Sequence, residues 1–216
     1  MIKLSRRLEA VLSEVSGDSC ADIGCDHGKL IVSALIHNRV RIGYAVDISK
    51  SSLEKAKLLG REENVSSRLN LICGDGALLL PEKVSVAVIA GMGATETVHI
   101  LSQGDFAEKY VLSPHQDAQI LRRYLKDNGY YAEKDYYVFD KKYYPIIVAT
   151  KGVTNYTDKE MFFGKNTPKT DIYDEFVAKR KTVLDKLYET LGEKLGKETL
   201  SEKEEADQCC KETPLK

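Results

Sequence analysis

The chain has almost no net charge, because 32 lysine and arginine residues are balanced by 33 aspartate and glutamate residues. That balance excludes a protein that holds nucleic acid through general positive charge alone. No apolar run approaches the roughly 20 residues needed to cross a bilayer. The first seven residues are not followed by the apolar core of a signal peptide. We therefore expect no membrane partner and a cytoplasmic location.

Cysteine is scarce and shows no metal-binding pattern. The five cysteines lack the paired spacing of a zinc site, so we expect no bound metal. They are Cys20, Cys25, Cys73, Cys209 and Cys210. Cysteines used in this way fit a reducing compartment.

Apolar strand-like runs alternate with helical runs over the first 127 of the 216 residues. After an amphipathic helix over residues 4–15, the strand-like runs cover residues 20–23, 42–46, 69–73, 84–89 and 110–112, and the helical runs cover residues 29–37, 50–63, 95–101 and 117–127. This alternation predicts an α/β fold with a parallel sheet and helices on both faces. Residues 130–139 and 143–150 then read as a hairpin.

The pattern changes near residues 151–152, which predicts a main domain of residues 1–152 and a C-terminal helical extension of residues 153–216. Apolar residues between positions 172 and 195 fall mostly on one helical face, so we expect an amphipathic helix there. Residues 201–216 are charged and nearly free of large apolar side chains. They predict a frayed or disordered polar tail.

The most informative segment is residues 21–30, where Asp22, Gly24 and Gly28 stand in a strand–loop–helix turn. The first glycine allows a sharp turn and the second lets the backbone approach a ligand closely, as in a nucleotide-type cofactor site. A dinucleotide site would place a glycine at the position of Asp22, because a carboxylate repels a pyrophosphate. S-adenosylmethionine (SAM) carries a sulfonium and an ammonium cation, so Asp22 favours SAM. A plain βα turn without a ligand is the alternative.

Two further carboxylates follow later strands. Asp47, followed by Ile48, stands about 20–25 residues beyond the glycine loop, where a carboxylate accepts hydrogen bonds from ribose hydroxyls. A turn or helix-capping role is its alternative. Asp75, followed by Gly76, is placed to accept from the adenine amino group, although Gly-Asp-Gly alone is also an ordinary turn.

Alternation followed by a terminal hairpin resembles the layout of the class I methyltransferase fold, which presents the acceptor atom at the end of the fourth strand. Here that position is occupied by Ala90, Gly91 and Met92, which leave room for a flat base unless they form only a strand-to-helix turn. His27 in the first loop is either structural or a contact to the cofactor or substrate. Pro114 and His115 end the fifth strand on the same edge of the sheet.

These residues together resemble the bacterial tRNA (adenine-22-N1)-methyltransferase family, known as TrmK. The shared motifs are Leu4-Ser5-x-Arg7-Leu8, Ala21-Asp22-Ile23-Gly24-x-Asp26-His27, Gly74-Asp75-Gly76, Ile89-Ala90-Gly91-Met92-Gly93, and Pro114 followed by Leu121-Arg122-x-Tyr124-Leu125. The match runs over most of residues 1–195. The Asp-His pair combined with Ala-Gly-Met-Gly is specific, whereas the glycine loop alone is not.

The resemblance implies a Rossmann-like class I methyltransferase domain with a C-terminal helical, coiled-coil-like extension. It also implies SAM as methyl donor, tRNA as substrate, and N1 of adenine 22 in the D-arm region as target. The chain departs from the family at His115, where members commonly carry Asn, and at Tyr144-Pro145, where they often carry Tyr-Glu. Its extension also looks short. These departures concern RNA contacts more than methyl transfer.

Adenine N1 has a free lone pair, so methyl transfer needs no strong base and can depend on proximity and orientation. We assign Asp26 to stabilise the cationic product base and His27 to orient the cofactor or base. Met92 completes the catalytic set. Since N1 lies on the Watson–Crick edge, a paired adenine must first be exposed.

Contacts to RNA phosphates require cations. One short basic cluster contains Lys3, Arg6 and Arg7, and a second contains Arg122, Arg123 and Lys126. Each is also consistent with a solvated helix face. The predicted substrate-binding set consists of the arginines of both clusters with Lys3, Pro114 and His115.

Three other functions fit parts of the pattern. A small-molecule methyltransferase would share the cofactor site but would need neither the basic clusters nor the C-terminal helix. A module that binds SAM or RNA without turnover is also compatible, whereas an NAD-dependent dehydrogenase is disfavoured by Asp22 and the missing third glycine. The sequence leaves the oligomeric state open and slightly favours a monomer.

Overall fold

The computed structural model describes residues 2–212 and contains a seven-stranded sheet with helices packed against it. The strands are β1 (Ser19–Ile23), β2 (Ile42–Asp47), β3 (Leu69–Cys73), β4 (Val84–Ala90), β5 (Ala107–Ser113), β6 (Tyr130–Asp140) and β7 (Lys142–Lys151). The helices are α1 (Arg6–Glu14), α2 (Lys29–Ile36), α3 (Lys50–Glu62), α4 (Ala94–Leu101), α5 (Ala118–Asp127), α6 (Asp158–Phe163), α7 (Asp171–Leu191) and α8 (Lys197–Glu212).

The strands lie in the order β3-β2-β1-β4-β5-β7-β6. The first five strands are parallel, and β7 runs antiparallel to both β5 and β6. This arrangement confirms the predicted class I methyltransferase sheet with its terminal hairpin. The carboxyl ends of β1 to β5 therefore meet at one edge, where α/β folds bind their ligands.

Alternating side chains of the strands form two apolar cores, one on each face of the sheet. In β1, Ala21 and Ile23 face the core that contains residues of α4 and α5. Cys20 faces the opposite core, which contains residues of α1, α2 and α3. The expected helices on both faces are therefore confirmed.

A buried ion pair joins the sheet to the segment that follows it. The Arg122 guanidinium of α5 donates to both carboxylate oxygens of Asp135 on β6, at 2.8 and 3.0 Å, and both side chains are fully buried. The same guanidinium donates to the carbonyls of Met161 and Phe162 in α6, while the Tyr156 hydroxyl donates to Asp135. Every donor is occupied inside the fold, so the assignment of Arg122 to phosphate binding was wrong.

The C-terminal segment forms a helical hairpin. The predicted amphipathic helix corresponds to α7, followed by a short 3₁₀ turn. The predicted polar tail was wrong over residues 201–212, because they belong to α8, which packs along α7. Ala206 and Cys209 fill the small apolar seam, and charged side chains pair across it, including Arg180 with Glu202. Residues 213–216 lie outside the described part of the chain.

Candidate active site

A cleft of about 640 Å³ opens at the carboxyl edge of the parallel strands. The ends of β1, β2, β3 and β4 supply one side and helix α4 supplies the other. The lining residues are Ile23, Gly24, Asp47, Ile48, Gly74, Asp75, Gly76, Gly91, Met92, Thr95, Glu96, His99 and Ile100. The cleft thus brings together predicted site residues from four separate stretches of sequence, each at the end of a different strand.

Asp47 anchors the centre of this cleft. One oxygen of its carboxylate accepts the backbone N–H of Asp26 at 3.0 Å, and the other accepts that of Ser49 at 2.8 Å. Each oxygen keeps a second lone pair, so the carboxylate can still accept ribose hydroxyls. Ile48 is 75% exposed at the cleft mouth, where it offers an apolar surface to a ring.

The loop that carries Asp75 is held by Gln103, a residue that the sequence analysis missed. The Gln103 amide oxygen accepts the Ala77 N–H at 2.7 Å, and its amide nitrogen donates to the Asp75 carbonyl at 3.5 Å. Gly76 has a φ of +70°, and a side chain there would collide with the Gln103 amide. The amide therefore fixes the loop while the Asp75 side chain remains exposed.

The two glycines of the first loop have different roles. Gly24 has a φ of +72°, and an added Cβ would collide with the terminal methyl of Met92 inside the cleft. Gly28 has a φ of +68°, but an added Cβ would lie 2.6 Å from the Cβ of Ala56. Gly28 therefore permits close packing of α2 on α3, and the expectation that it faces a ligand was wrong.

A second depression of about 210 Å³ lies on the other side of Gly24. Its lining includes Asp22, Asp26, His27, Ala90 and the α1 residue Arg7. The Nε2 atom of His27 lies 2.9 Å from Lys55 Nζ and 3.3 Å from an Asp26 carboxylate oxygen. Because one ring nitrogen cannot accept from Lys55 and donate to Asp26 at once, the tautomer and charge of His27 decide which neighbour it binds.

Asp22 lies at the base of this second depression rather than in the cleft. Burial raises the pKa of its carboxyl to about 7, against an opposing hydrogen bond from the Ile31 backbone near the start of α2. The negative charges of Asp47 and Asp26 raise it further. A nearby cation would favour the ionised carboxylate, as expected for a site that receives a positively charged group.

The ends of β4 and β5 are hydrogen-bonded to one another. The His115 N–H donates to the Met92 carbonyl at 2.8 Å, and the Gly91 N–H donates to the Ser113 carbonyl at 3.2 Å. Pro114, between them, is buried. The fold therefore joins the Ala90–Met92 motif directly to the Pro114–His115 motif.

Helix α4 contributes four lining residues that the sequence analysis did not assign: Thr95, Glu96, His99 and Ile100. They form two pairs at i, i+4 spacing and so face the cleft together. His99 thus places an imidazole at the cleft. The sequence did contain a sign of this role: the helix begins immediately after Gly93, which places its first two turns beside the strand ends.

The two basic clusters differ from the expectation. Lys3 and Arg6 are exposed, whereas Arg7 is half-buried and points toward Gly91 and Tyr144. Arg123 is 54% exposed and pairs with Glu198 of α8 at 3.2 Å. With Arg122 buried, the surface cations of the predicted second cluster are reduced to Arg123 and Lys126, which are both exposed.

The cleft fits SAM by its chemistry. Carboxylates follow β2 and β3, where ribose and adenine groups can donate to them, and left-handed glycines bring bare backbone to the wall beside Met92. None of the lining residues is lysine or arginine, so neither of these cations would neutralise a pyrophosphate in the cleft. Among the described residues, no cluster of three or more His, Cys, Asp or Glu side chains is arranged to hold a metal ion.

The chain matches the "Methyltransferase domain" family model over residues 4–147. It is 33% identical to a Mycoplasma pneumoniae protein provisionally named a tRNA methyltransferase, over 66% of this chain and 70% of that one. It is 30% identical to the tRNA (adenine(22)-N(1))-methyltransferase of Bacillus subtilis, over 70% of this chain and 66% of that one, so that alignment spans slightly less than two thirds of the relative.

Among solved structures, TrmK of M. capricolum in complex with S-adenosyl-homocysteine superimposes with a TM-score of 0.84 at 20% identity. The superposition covers 97% of each chain. This likeness extends the shared fold through the C-terminal helices. No helix within residues 2–212 is long and apolar enough to cross a membrane.

Proposed function

This chain belongs to the TrmK family of SAM-dependent tRNA methyltransferases, and from that premise we propose that it methylates N1 of adenine 22 in tRNA. SAM supplies an electrophilic methyl group on its sulfonium. The adenine N1 lone pair forms the new N–C bond, while the S–C electron pair returns to sulfur. No proton has to leave N1 first, so the protein contributes position and charge rather than a base.

The observation that carries the proposal is the shared wall between the two depressions. Gly24 lines both the large cleft and the smaller depression that contains Asp26 and His27. A cofactor in the cleft and an acceptor in the depression would therefore approach each other at Gly24, which has no side chain of its own and lies against the terminal methyl of Met92. Gly91 and Met92 close the same wall from β4.

We assign the cofactor side to residues at the ends of β1 to β4. Asp47 and Ile48 hold the ribose and flank the base, and Asp75 with Gly76 accepts from adenine. The Asp22 carboxylate faces the smaller depression, where it would interact with a positively charged group of the cofactor that extends past Gly24. Asp26 and His27 serve both sides, since their side chains lie beside Gly24.

We assign the acceptor side to residues around Ala90 and Met92. Asp26 is placed to stabilise the positive charge that methylation creates on the base, because its carboxylate is exposed to the depression. Lys3, Arg6 and Arg7 at the start of α1, together with His115 and Arg123, contact the RNA, whereas the buried Pro114 acts only by positioning His115. Because N1 lies on the pairing edge, adenine 22 must be unpaired before it enters.

The proposal extends to a monomer that works in the cytoplasm, with residues 1–152 as the catalytic domain and residues 153–216 as an RNA-contacting extension. The helical hairpin supports the second part, because Arg180 of α7 and Glu202 of α8 line the same groove as His115. Measuring the molar mass in solution with and without tRNA tests whether the protein is a monomer, because a monomer has a mass of 24.2 kDa without tRNA.

The direct test is methyl transfer from tritiated SAM to unmodified tRNA, followed by mapping of the labelled base. We expect label at N1 of adenine 22. A tRNA with guanine at position 22 is the matched substrate control and should accept none. Label at another nucleotide, or label only on small molecules, would contradict the proposed substrate.

A further inference from the structure

The Arg7 side chain is half-buried, and among the described residues no carboxylate accepts a hydrogen bond from its guanidinium, although Asp140 lies near enough to attract its charge. Its guanidinium lies 4.9 Å from the centre of the Tyr144 ring, and its Nη1 is buried without a hydrogen-bond partner. Among the side chains that the structure describes, no carboxylate forms an ion pair with this guanidinium. The nearby Asp140 instead accepts the backbone N–H of Arg7 at 3.2 Å.

Two more nitrogen groups converge on the same place. The Lys142 Nζ lies 4.9 Å from the centre of the Tyr144 ring and donates to the His115 carbonyl at 3.4 Å. The His115 Nδ1 is buried and has no hydrogen-bond partner. Tyr144 thus lies in contact with two cations, and its ring is 5.8 Å from that of His115.

The free-energy cost of leaving the nitrogens of Arg7 and His115 without hydrogen-bond partners indicates a site for an anion. Burial and the positive charges of Arg7 and Lys142 lower the pKa of His115, so the free protein holds this ring neutral. Leaving a buried guanidinium N–H unpaired costs free energy that an anion with several oxygens would recover. Gly91 lies beside both groups, since a Cβ added there would be in ordinary van der Waals contact with the Arg7 Nη2 at 3.5 Å and the His115 Nε2 at 3.8 Å.

The position of these groups selects the kind of anion. Arg7 also lines the depression of Asp26, His27 and Ala90, where the acceptor base is proposed to enter. His115 lines a separate groove that runs toward α7. The nitrogen groups therefore lie at the rim between the base pocket and the rest of the RNA-facing surface.

We infer that Arg7, His115 and Lys142 form an anion subsite that holds a backbone phosphate of the nucleotide to be methylated. This inference rests on the proposed function and adds a group that the reaction itself does not need. The subsite would fix the nucleotide by its phosphate while the base reaches Gly24. Binding would bring the unpaired nitrogens of Arg7 and His115 to phosphate oxygens and favour protonation of His115.

Inorganic phosphate tests the subsite without any methyl transfer. The chain has four histidines, so the His115 imidazole can be assigned and titrated by NMR. We expect phosphate to raise the apparent pKa of His115 in the wild type and to have a much smaller effect in Arg7→Gln and Lys142→Gln. Lys141→Gln is the control, because Lys141 is the exposed neighbour in the same turn. An unchanged His115 titration in the wild type would overturn the subsite.

Competition with tRNA tests which phosphate is held. In the wild type we expect AMP to inhibit tRNA methylation at least tenfold better than adenosine, and in Arg7→Gln the two should be equal. Arg7→Gln and Lys142→Gln should each weaken tRNA binding roughly tenfold to a hundredfold and reduce the salt dependence of that binding. The affinity for SAM should not change. If Arg7→Gln weakens tRNA binding but keeps the preference for AMP, the phosphate belongs to another nucleotide and the inference is wrong.

Failure of the proposed function gives a different result. If the wild type transfers no methyl group to tRNA, the adenine-22 assignment is lost, while the phosphate titration of His115 still decides whether the anion subsite exists. Because Lys142 is exposed, its substitution should leave folding intact even if Arg7→Gln destabilises the protein.

Discussion

The Asp47 carboxylate accepts the backbone N–H of Asp26 at 3.0 Å across 21 residues of sequence. This bond ties the end of β2 to the loop after β1, so one carboxylate both shapes the loop and faces the cofactor cleft. The left-handed backbone of Asp26, with a φ of +50°, is held in place by the same contact.

Asp47→Asn should weaken SAM binding roughly tenfold to a hundredfold, because hydrogen bonds to a charged group contribute about 1.5–3 kcal/mol. Calorimetric titration with SAM measures the effect. Asp18→Asn is the matched control, since Asp18 forms only an exposed pair with Arg41. Equal SAM affinity in Asp47→Asn and the wild type would exclude Asp47 from the cofactor site.

Gly24→Ala should abolish measurable SAM binding or weaken it at least tenfold. The added Cβ collides with Met92, and a left-handed backbone costs a non-glycine residue about 1–2 kcal/mol. Gly196→Ala is the control, because nothing lies within 4 Å of its added Cβ and its φ is not in the left-handed region. Normal SAM affinity in Gly24→Ala would show that the cofactor does not pass this glycine.

Asp22 should make the stability of the free protein depend on pH. Its pKa is about 7 in the folded state against 3.8 ordinarily, so between these values the folded state holds a proton that the unfolded state has lost. Stability therefore falls as pH rises from about 4 to about 7, by up to about 4 kcal/mol, and is then flat. Urea unfolding across this range checks it, and Asp22→Asn should remove the slope.

The same carboxyl should couple SAM affinity to pH. If a cationic group of SAM extends past Gly24 to Asp22, binding requires the ionised carboxylate, and the dissociation constant should rise about tenfold for each unit by which the pH lies below about 7. Binding assays between pH 5.5 and 7.5 measure this slope. A slope that persists in Asp22→Asn would assign the effect to another group.

Arg122→Met should lower the free energy of unfolding by about 3–5 kcal/mol, because it leaves the buried Asp135 charge without its partner. Arg123→Met is the neighbouring control and should change stability by no more than about 0.5 kcal/mol, since its ion pair is exposed. Denaturant unfolding measures both. Adding Asp135→Leu to Arg122→Met should restore part of the loss, and no recovery would contradict this origin of the cost.

Gln103→Leu should raise the KM for SAM about tenfold and leave kcat nearly unchanged. Gln103 holds the Asp75 loop through Ala77 and makes no contact with the proposed acceptor site. Ser102→Ala is the control, because its hydroxyl bonds only within the end of α4. A fall in kcat at constant KM would rule out a positioning role limited to the cofactor.

The alternation of strands and helices, the terminal hairpin and the position of the cleft followed from local signals. Apolar runs, turn glycines and carboxylates after strands are read directly from sequence, and parallel strands bring such residues to one edge. The contributions of Gln103 and α4 depend on where a helix lies over the sheet. Spacing along the chain does not encode that.

The errors share one physical cause, which is pairing between distant residues. Arg122 looks like a surface cation until Asp135 and the carbonyls of α6 surround it. The segment of α8 looks disordered because it has few large apolar side chains, yet its charges find partners on α7, as Glu202 does with Arg180. Arg7 and Lys3 are close in sequence, but Arg7 packs against Tyr144, 137 positions later.

The anchoring of α6 by Arg122 has a consequence for which RNA substrates the protein selects by size. Helix α7 has 21 residues and so extends about 30 Å from a base that the ion pair fixes to the sheet. A rigid helix of that length holds its tip at a fixed distance from the base pocket. An RNA that contacts both its tip and the base pocket is selected by the distance between those two points, so we expect whole tRNA to be preferred over an isolated stem-loop that contains the same adenine.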